Sequence, residues 1–458
     1  MRDRMKKEKY LMIEFGLLFI VCVALHMLIN NTSAHYDDSV YWWLGKACGW
    51  DVRNIGWGFR GWVLPYIFSI CYQFGMMFGS EYLGYRIFSS AVFAFTFSFL
   101  FSYIAKIMKF ELSGKKWGGV SAGAVCGMLF FIFFRGLFIY TLSDFYAFSV
   151  ALLCVILLHN ILQCEQKNSI KIMAAFFLGI CLYGVYNIRT IYLFLVLLCW
   201  GVLIIMQIYL KRWRQMVITL PACFAGMFVC SLPQYILNYH LSRTISWRVP
   251  TEGLMLQQLQ WGITAGRYAT FIGDASQYST AGMFFTDNIG KAILEKAQVT
   301  ELTSYGQLIK LVIKYPLDFV GIYVRHFLNM LYPFYPNQYI EDITKDKSLL
   351  LIGFYTLLFI AIFYFFRTFK LKDSKWIWFV LILFPCVCIL PGAVEIRFFI
   401  ALHFLIYMYA VLGLQDFFAE FKRNKLKYSA LYLTGFLIYI AYAGMLLATT
   451  ENGIAMIN

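Results

Sequence analysis

Charged side chains are scarce in this sequence. Asp, Glu, Lys and Arg make up 14% of its 458 residues, against 61% hydrophobic and 20% aromatic. That balance excludes a water-soluble globular chain of this length, in which roughly a quarter of the residues would be charged. There is no Walker loop and no dinucleotide-binding glycine fingerprint, and the six histidines show no metal-ligand spacing, so the common nucleotide-dependent and metal-centred classes have no sequence support. The twelve cysteines supply no disulfide framework. Nearly all lie inside apolar stretches, including Cys386 and Cys388, where a thiol behaves as a small hydrophobe; only Cys48 and Cys71 fall in the first outer loop. No soluble-repeat period is visible, and no inverted pair of Gly/Pro-broken helices, which counts against an alternating-access transporter without removing it.

What is present is a succession of apolar runs long enough to cross a bilayer, recurring from Leu11 to Thr449. The basic segment Met1–Lys9 precedes a run from Tyr10 to about Ile29 that is longer than a signal-peptide core and reads as a retained anchor. Spans are predicted near 10–30, 85–107, 118–134, 145–163, 172–188, 190–210, 215–238, 348–366, 376–391, 398–415 and 429–449. The stretch 62–79 is apolar as well, but it carries Pro65, Gln73, paired methionines and flanking tryptophans, and reads as a helix lying along the outer surface. The net charge of +15 is then explained by its distribution. The segments expected to be cytoplasmic, 1–9, 106–116, 164–171, 211–214, 367–375 and 416–427, hold 22 of the 39 Lys and Arg residues but, with their immediate flanks, only 8 of the 24 acids. This positive-inside pattern puts the N-terminus in the cytoplasm and leaves no case for a nucleic-acid partner. The expected fold is an all-α polytopic membrane protein, residues 1–458 forming a single transmembrane domain with about 11 spans. Two large extracytoplasmic loops with interfacial helices, 31–84 and 239–347, interrupt it, the second containing an amphipathic segment near Leu308 to Leu331.

The outer loops carry the residues with chemical potential. His35-Tyr36-Asp37-Asp38-Ser39-Val40-Tyr41 follows the first span directly. At helical spacing Asp37 and Tyr41 share a face and Asp38 turns about 100° away, so at most one carboxylate addresses a given pocket. Both acids also suit the positive end of a helix dipole, which is reason enough for their presence. Arg60 lies in Arg60-Gly61-Trp62-Val63-Leu64-Pro65, and Arg86 ends Glu81-Tyr82-Leu83-Gly84-Tyr85-Arg86 at the membrane edge, where a snorkelling arginine is common. Arg135, Asp144 and Arg189 sit at outer helix ends. In Pro391-Gly392-Ala393-Val394-Glu395-Ile396-Arg397 an acid and a base two residues apart suit a local ion pair, and Arg397 is placed to hold a lipid phosphate, which guanidinium matches bidentately.

In order and architecture these features resemble the GT-C superfamily of membrane glycosyltransferases, which includes protein O-mannosyltransferases and bacterial transferases that add aminoarabinose to lipid A. Asp37-Asp38 with Tyr41 is similar to the family motif after helix one, with Asp38 where Glu is more usual, a change that leaves a divalent-metal requirement open. Arg60–Pro65 is similar to the basic segment that follows, Glu81–Arg86 to the stretch ending in arginine at helix two, and Asp144 to an acid opening a later helix. Tyr315-Pro316-Leu317-Asp318 through Tyr323, Arg325 and Asn329 resembles an amphipathic segment, and Glu395-Ile396-Arg397-Phe398 a late turn. Thr251 to Gly306, in the loop that contributes to acceptor recognition in that family, matches nothing assignable.

The resemblance implies transfer of a sugar from a polyprenyl-phosphate donor to a lipid, glycan or protein acceptor on the outer face of a bacterial cytoplasmic membrane, in contact with membrane lipids, and with inversion. Asp37 would be the general base and Asp38 an orienting or metal-binding partner. Arg86, Arg397, Arg60 and Arg189 would serve the donor phosphate with Glu395 holding Arg397, and His35, Tyr41 and Asp144 would play supporting parts. His326 and His403, lone histidines on apolar faces, read as structural. The competing reading is a transporter or flippase of lipid-linked sugars or another amphiphile, which would use the same arginines.

Overall fold

The computed structural model describes residues 2–29, 36–110, 121–163, 167–251, 253–271, 282–332, 339–340, 348–370, 375–452 and 454–456. The protein is overwhelmingly α-helical. Among the described residues nine helices are long and apolar enough to cross a membrane: Glu8–Ile29, Leu83–Ile107, Asp144–Leu162, Asn168–Ile188, Thr190–Tyr209, Trp213–Ser242, Leu349–Thr368, Ile396–Arg423 and Lys425–Leu446. They match nine of the eleven expected spans. The other two expected spans correspond to shorter apolar helices, Ala122–Phe134 and Lys375–Ile389, in the same length class as Val63–Met77.

The chain packs as two compact units. The first comprises Met1–Met128, Leu137–Pro250 and Phe369–Pro385. Its helices are α1 (Arg2–Ile29), α2 (Tyr36–Cys48), α3 (Val63–Met77), α4 (Leu83–Phe95), α5 (Phe101–Ile107), α6 (Ala122–Phe134, shared with the second unit), α7 (Gly136–Ile139, likewise), α8 (Asp144–Leu162), α9 (Asn168–Ile188), α10 (Leu193–Tyr209) and α11 (Trp213–Ser242). A π-helical turn, Thr96–Leu100, joins α4 and α5 into one span. Pro221 and Pro233 lie inside α11 without ending it, as membrane helices allow when neighbours satisfy the freed backbone groups. Helices α9 and α11 approach at Gly179 and Gly226: a Cβ on either would collide with a backbone carbonyl of the other helix, Cys223 or Phe176. Edge-on aromatic pairs fill the interior, with Phe138 4.8 Å from Phe93 and 4.5 Å from Phe145.

The second unit comprises Leu129–Gly136, Thr251–Thr368 and Cys386–Asn458. It contains α12 (Leu254–Thr264), β1 (Ala265–Phe271), β2 (Gly282–Thr286), α13 (Asn288–Lys296), α14 (Tyr305–Lys314), α15 (Pro316–Asn329), β3 (Tyr339–Ile340) and α16 (Ser348–Thr368). After α17 (Lys375–Ile389), which runs from one unit into the other, come α18 (Ile400–Arg423), α19 (Lys425–Asn452) and β4 (Ile454–Met456). Helix α18 is buried on every side from Ile400 to Gly413, as expected of a helix that is apolar all round. The stretch that matched nothing in sequence supplies the two central strands, β1 and β2, of a small four-stranded sheet of order β3-β1-β2-β4, with β1 and β2 antiparallel and a bulge between Ala265 and Arg267. Beside it, Ile263, Ile293, Leu294, Leu302, Leu311, Phe319 and Ile322 form a core of their own. The single amphipathic segment expected near 308–331 is two helices, broken at Tyr315–Pro316. Pro316 fits the first turn of α15, where its missing N–H costs nothing.

Candidate functional site

In the first unit the two acids open α2, where both complement the helix dipole, and they diverge as their spacing requires. Asp37 stays partly open, and its Oδ1 accepts from Arg60 Nη2 at 2.5 Å. Tyr41, one turn along the same face, presents its hydroxyl 3.5 Å from Arg60 Nη1 and its ring 5.0 Å from the guanidinium carbon. Burial would loosen Arg60's hold on its proton, but Tyr41 and Asp37 outweigh it and push the guanidinium's pKa above its ordinary value. Arg60 Nε is buried and finds no hydrogen-bond acceptor among the described residues.

Arg60 owes its position to α9. Asn187 Oδ1 accepts from the backbone N–H groups of Trp62 and Val63, at 2.8 and 2.9 Å, and so serves two donors at the start of α3. Between them and Arg60, Gly61 has φ +67°, and a Cβ there would collide with the Asn187 backbone carbonyl. Asn187 Nδ2 donates to Gln234 (2.9 Å), Gln234 Nε2 to Asn238 (2.9 Å), and Asn238 Nδ2 to the Ser246 and Arg248 carbonyls (both 2.8 Å). This chain of buried amides had a sequence signal that went unused: polar residues within or at the ends of apolar spans.

Asp38 is only 2% exposed, and its backbone carbonyl accepts from Thr141 Oγ1 at 2.7 Å. Burial first, then the carboxylates of Glu81 and Asp38, push the Tyr82 phenol up, while Arg86 pulls it down, so Asp38 and Arg86 both act on one side chain. Arg86 is buried near the start of α4, its Nη1 3.5 Å from Met27 Sδ. Trp42 stacks on Tyr82 with ring centroids 4.9 Å apart, and its Nε1 donates to Glu81 at 2.7 Å. Close to Thr141, Asp144 opens α8 and pairs with Arg189 at 3.2 Å, and Arg189 also reaches Ser143. The first unit thus links the segments that carry Asp37, Asp38, Tyr41, Arg60, Arg86, Asp144 and Arg189. His35 lies outside the described residues.

In the second unit Glu395 and Arg397 form a buried two-point ion pair, 2.7 and 3.0 Å, with the guanidinium 5.2 Å from the Phe398 ring centroid. Their turn is pinned from within the unit: Ala393 N donates to the Gln258 carbonyl and Tyr268 N to that of Val394. His326 places both ring nitrogens against backbone carbonyls, Leu390 at 2.7 Å and Ala265 at 2.9 Å, and burial holds its imidazole below the ordinary range. His403 Nε2 meets the Met330 carbonyl at 2.9 Å. Both histidines have the structural surroundings expected of them. Arg325 grips Asp287, which also caps α13, so this pair is committed to holding α13 and α15 together.

Among the described residues no three His, Cys, Asp or Glu side chains are grouped closely enough to hold a metal ion. No family model and no curated protein matches this chain.

Proposed function

We propose that this membrane protein is a glycosyltransferase that moves a sugar from a polyprenyl-phosphate donor to an acceptor hydroxyl, with inversion and with Asp37 as general base. The observation that carries the reading is Arg60: a cationic guanidinium holding Asp37 and Tyr41, with a buried Nε–H left for a further oxygen acceptor. An ion-paired carboxylate is a weak base, and here that weakness has a use. As the acceptor oxygen bonds to the anomeric carbon, the bond to the phosphate oxygen breaks and the leaving polyprenyl phosphate gains negative charge. That charge draws on Arg60, and Asp37, partly released, takes the hydroxyl proton. The interaction strengthens as the transition state forms, which is the condition for accelerating the chemical step. Phosphate leaves well without a proton, so a single carboxylate suffices. Arg86 and Arg189, in the same unit as Asp37 and Arg60, are proposed as further phosphate partners and Asp38 as an orienting residue; phosphate binding by Arg397, held by Glu395, is a separate proposal for the second unit.

The test uses the full chain in proteoliposomes with radiolabelled polyprenyl-phosphate hexose or pentose and a panel of lipid, glycan and peptide acceptors. New glycoside formed by wild type, and reduced roughly 100-fold in Asp37→Asn with donor binding kept, supports the assignment. Translocation of the label without glycoside would replace it with a flippase or transporter.

A further inference from the structure

Helices α14 and α15 each have two apolar faces. On one, Leu311, Phe319 and Ile322 are buried in the core beside the small sheet. On the other, Tyr305, Ile309 and Ile313 follow at spacings of four along α14, and Leu317, Val320 and Val324 at three and four along α15. All six stand in the open, Ile313 being 74% and Leu317 84% exposed. The buried and open stripes of α15 are about 200° apart, so this is no widening of one core-facing stripe. A helix packed on a protein core and facing water carries polar residues on its outer face; here the open stripe is Tyr305 followed by five aliphatic residues.

Its surroundings say what covers it. The segment lies in the connection between α11 and α16, both long and apolar enough to cross a membrane, which keeps it within reach of the bilayer. Lys310 and Lys314 are exposed and each follows a stripe residue, Ile309 or Ile313, while α14 contains no acid. Lysine stems lying along an apolar stripe and ammonium groups reaching phosphate are the arrangement of interfacial helices. A protein partner would be expected to meet aromatic and arginine anchors instead, lysine being depleted at such interfaces.

We propose that the α14–α15 stripe is a membrane-interface anchor, seated in the phospholipid headgroup layer with Lys310 and Lys314 on lipid phosphate. The anchor fixes the depth of the second unit's sheet-and-helix segment independently of any catalytic role. To test it, p-benzoylphenylalanine is placed singly at Ile313, Leu317, Val320 or Asp318 in the full chain. Each monodisperse variant is reconstituted in nanodiscs of phosphatidylcholine and phosphatidylglycerol, irradiated and weighed intact. The three stripe positions should give phospholipid adducts at least about fivefold more often than Asp318, which is rotated off the stripe of the same helix. Adducts of doubled protein mass, showing a second copy on the stripe, or lipid yields no higher than at Asp318, would overturn the proposal.

Discussion

Arg60 shows how much of one side chain's behaviour is written locally and how much is not. That Asp37 and Tyr41 share a face follows from four-residue spacing on a helix. That Arg60 closes on both of them does not, because it arrives through a loop of short 3-10 turns, Val52–Asn54 and Gly58–Arg60, whose path is set from another helix. Its fork of donors is what lets it serve two oxygens at once, so Arg60→Lys, which keeps the charge but not the fork, should lose one of them. Turnover in proteoliposomes is expected to fall about 10-fold or more for Arg60→Lys and about 100-fold or more for Arg60→Ala, as for removal of a transition-state donor. Wild-type turnover in Arg60→Ala would detach it from the chemistry. Glu81 offers a separate, pH-dependent test. Partial burial opposes its ionisation, but hydrogen bonds from Trp42 and Lys46 outweigh it and hold the carboxyl below its usual value of 4.5. With the folded pKa the lower one, its contribution to stability is complete above that value and disappears as pH falls through the folded pKa. Thermal unfolding in detergent should therefore separate wild type from Glu81→Gln at pH 7, with the gap closing towards pH 3.

The elements most dependent on distant partners were the least legible. Nine spans could be read from apolar run length alone, because lipid demands the same thing of every turn. The small sheet could not: β3 is two residues long, and β4 pairs with β2 from the far end of the chain. The start of α3 is a similar case. Its apolar sequence announces a helix, but the groups that serve its first N–H donors come from Asn187, 124 and 125 residues away. Asn187→Ala removes the acceptor of two N–H groups and a donor to Gln234, and leaving such groups unsatisfied should cost roughly 2–4 kcal/mol. Gly61→Ala should be at least as damaging, since it imposes a left-handed backbone on a residue with a side chain and drives that side chain into the Asn187 carbonyl. Both variants should unfold at lower temperature than wild type in detergent. A Gly61→Ala protein with an unchanged midpoint would show that the turn is not held as described.

For the whole molecule the open question is which helices cross, and here length and charge have to be weighed against each other. At 15 residues α3 is about 22 Å long, short of a roughly 30 Å hydrocarbon core. The same length argument bears on α6, with 13 residues, and α17, with 15, both expected as spans, so length alone does not single out α3 as the helix that stays on the surface. Charge does. If α3 crossed, the basic end of the following span, Lys106 and Lys109, would be exported, and every later basic segment would change sides with it. The 22 Lys and Arg residues gathered between spans would then be scattered across both faces, against the cost that holds basic loops on the cytoplasmic side. The open apolar positions of α3, among them Ile70, Phe74 and Met77, suit lipid contact along a surface as well as within a core, so exposure does not discriminate. The expected outcome is that α3 lies along the extracytoplasmic surface and Lys109 faces the cytoplasm. A cysteine at exposed Lys109, where the native cysteines of the first unit are largely buried, should resist an impermeant maleimide added to intact cells and react once the membrane is opened. Labelling from outside would make α3 a crossing helix. It would also put Asp37 and Arg86 on opposite faces of the membrane, and the transferase reading would fail with the topology.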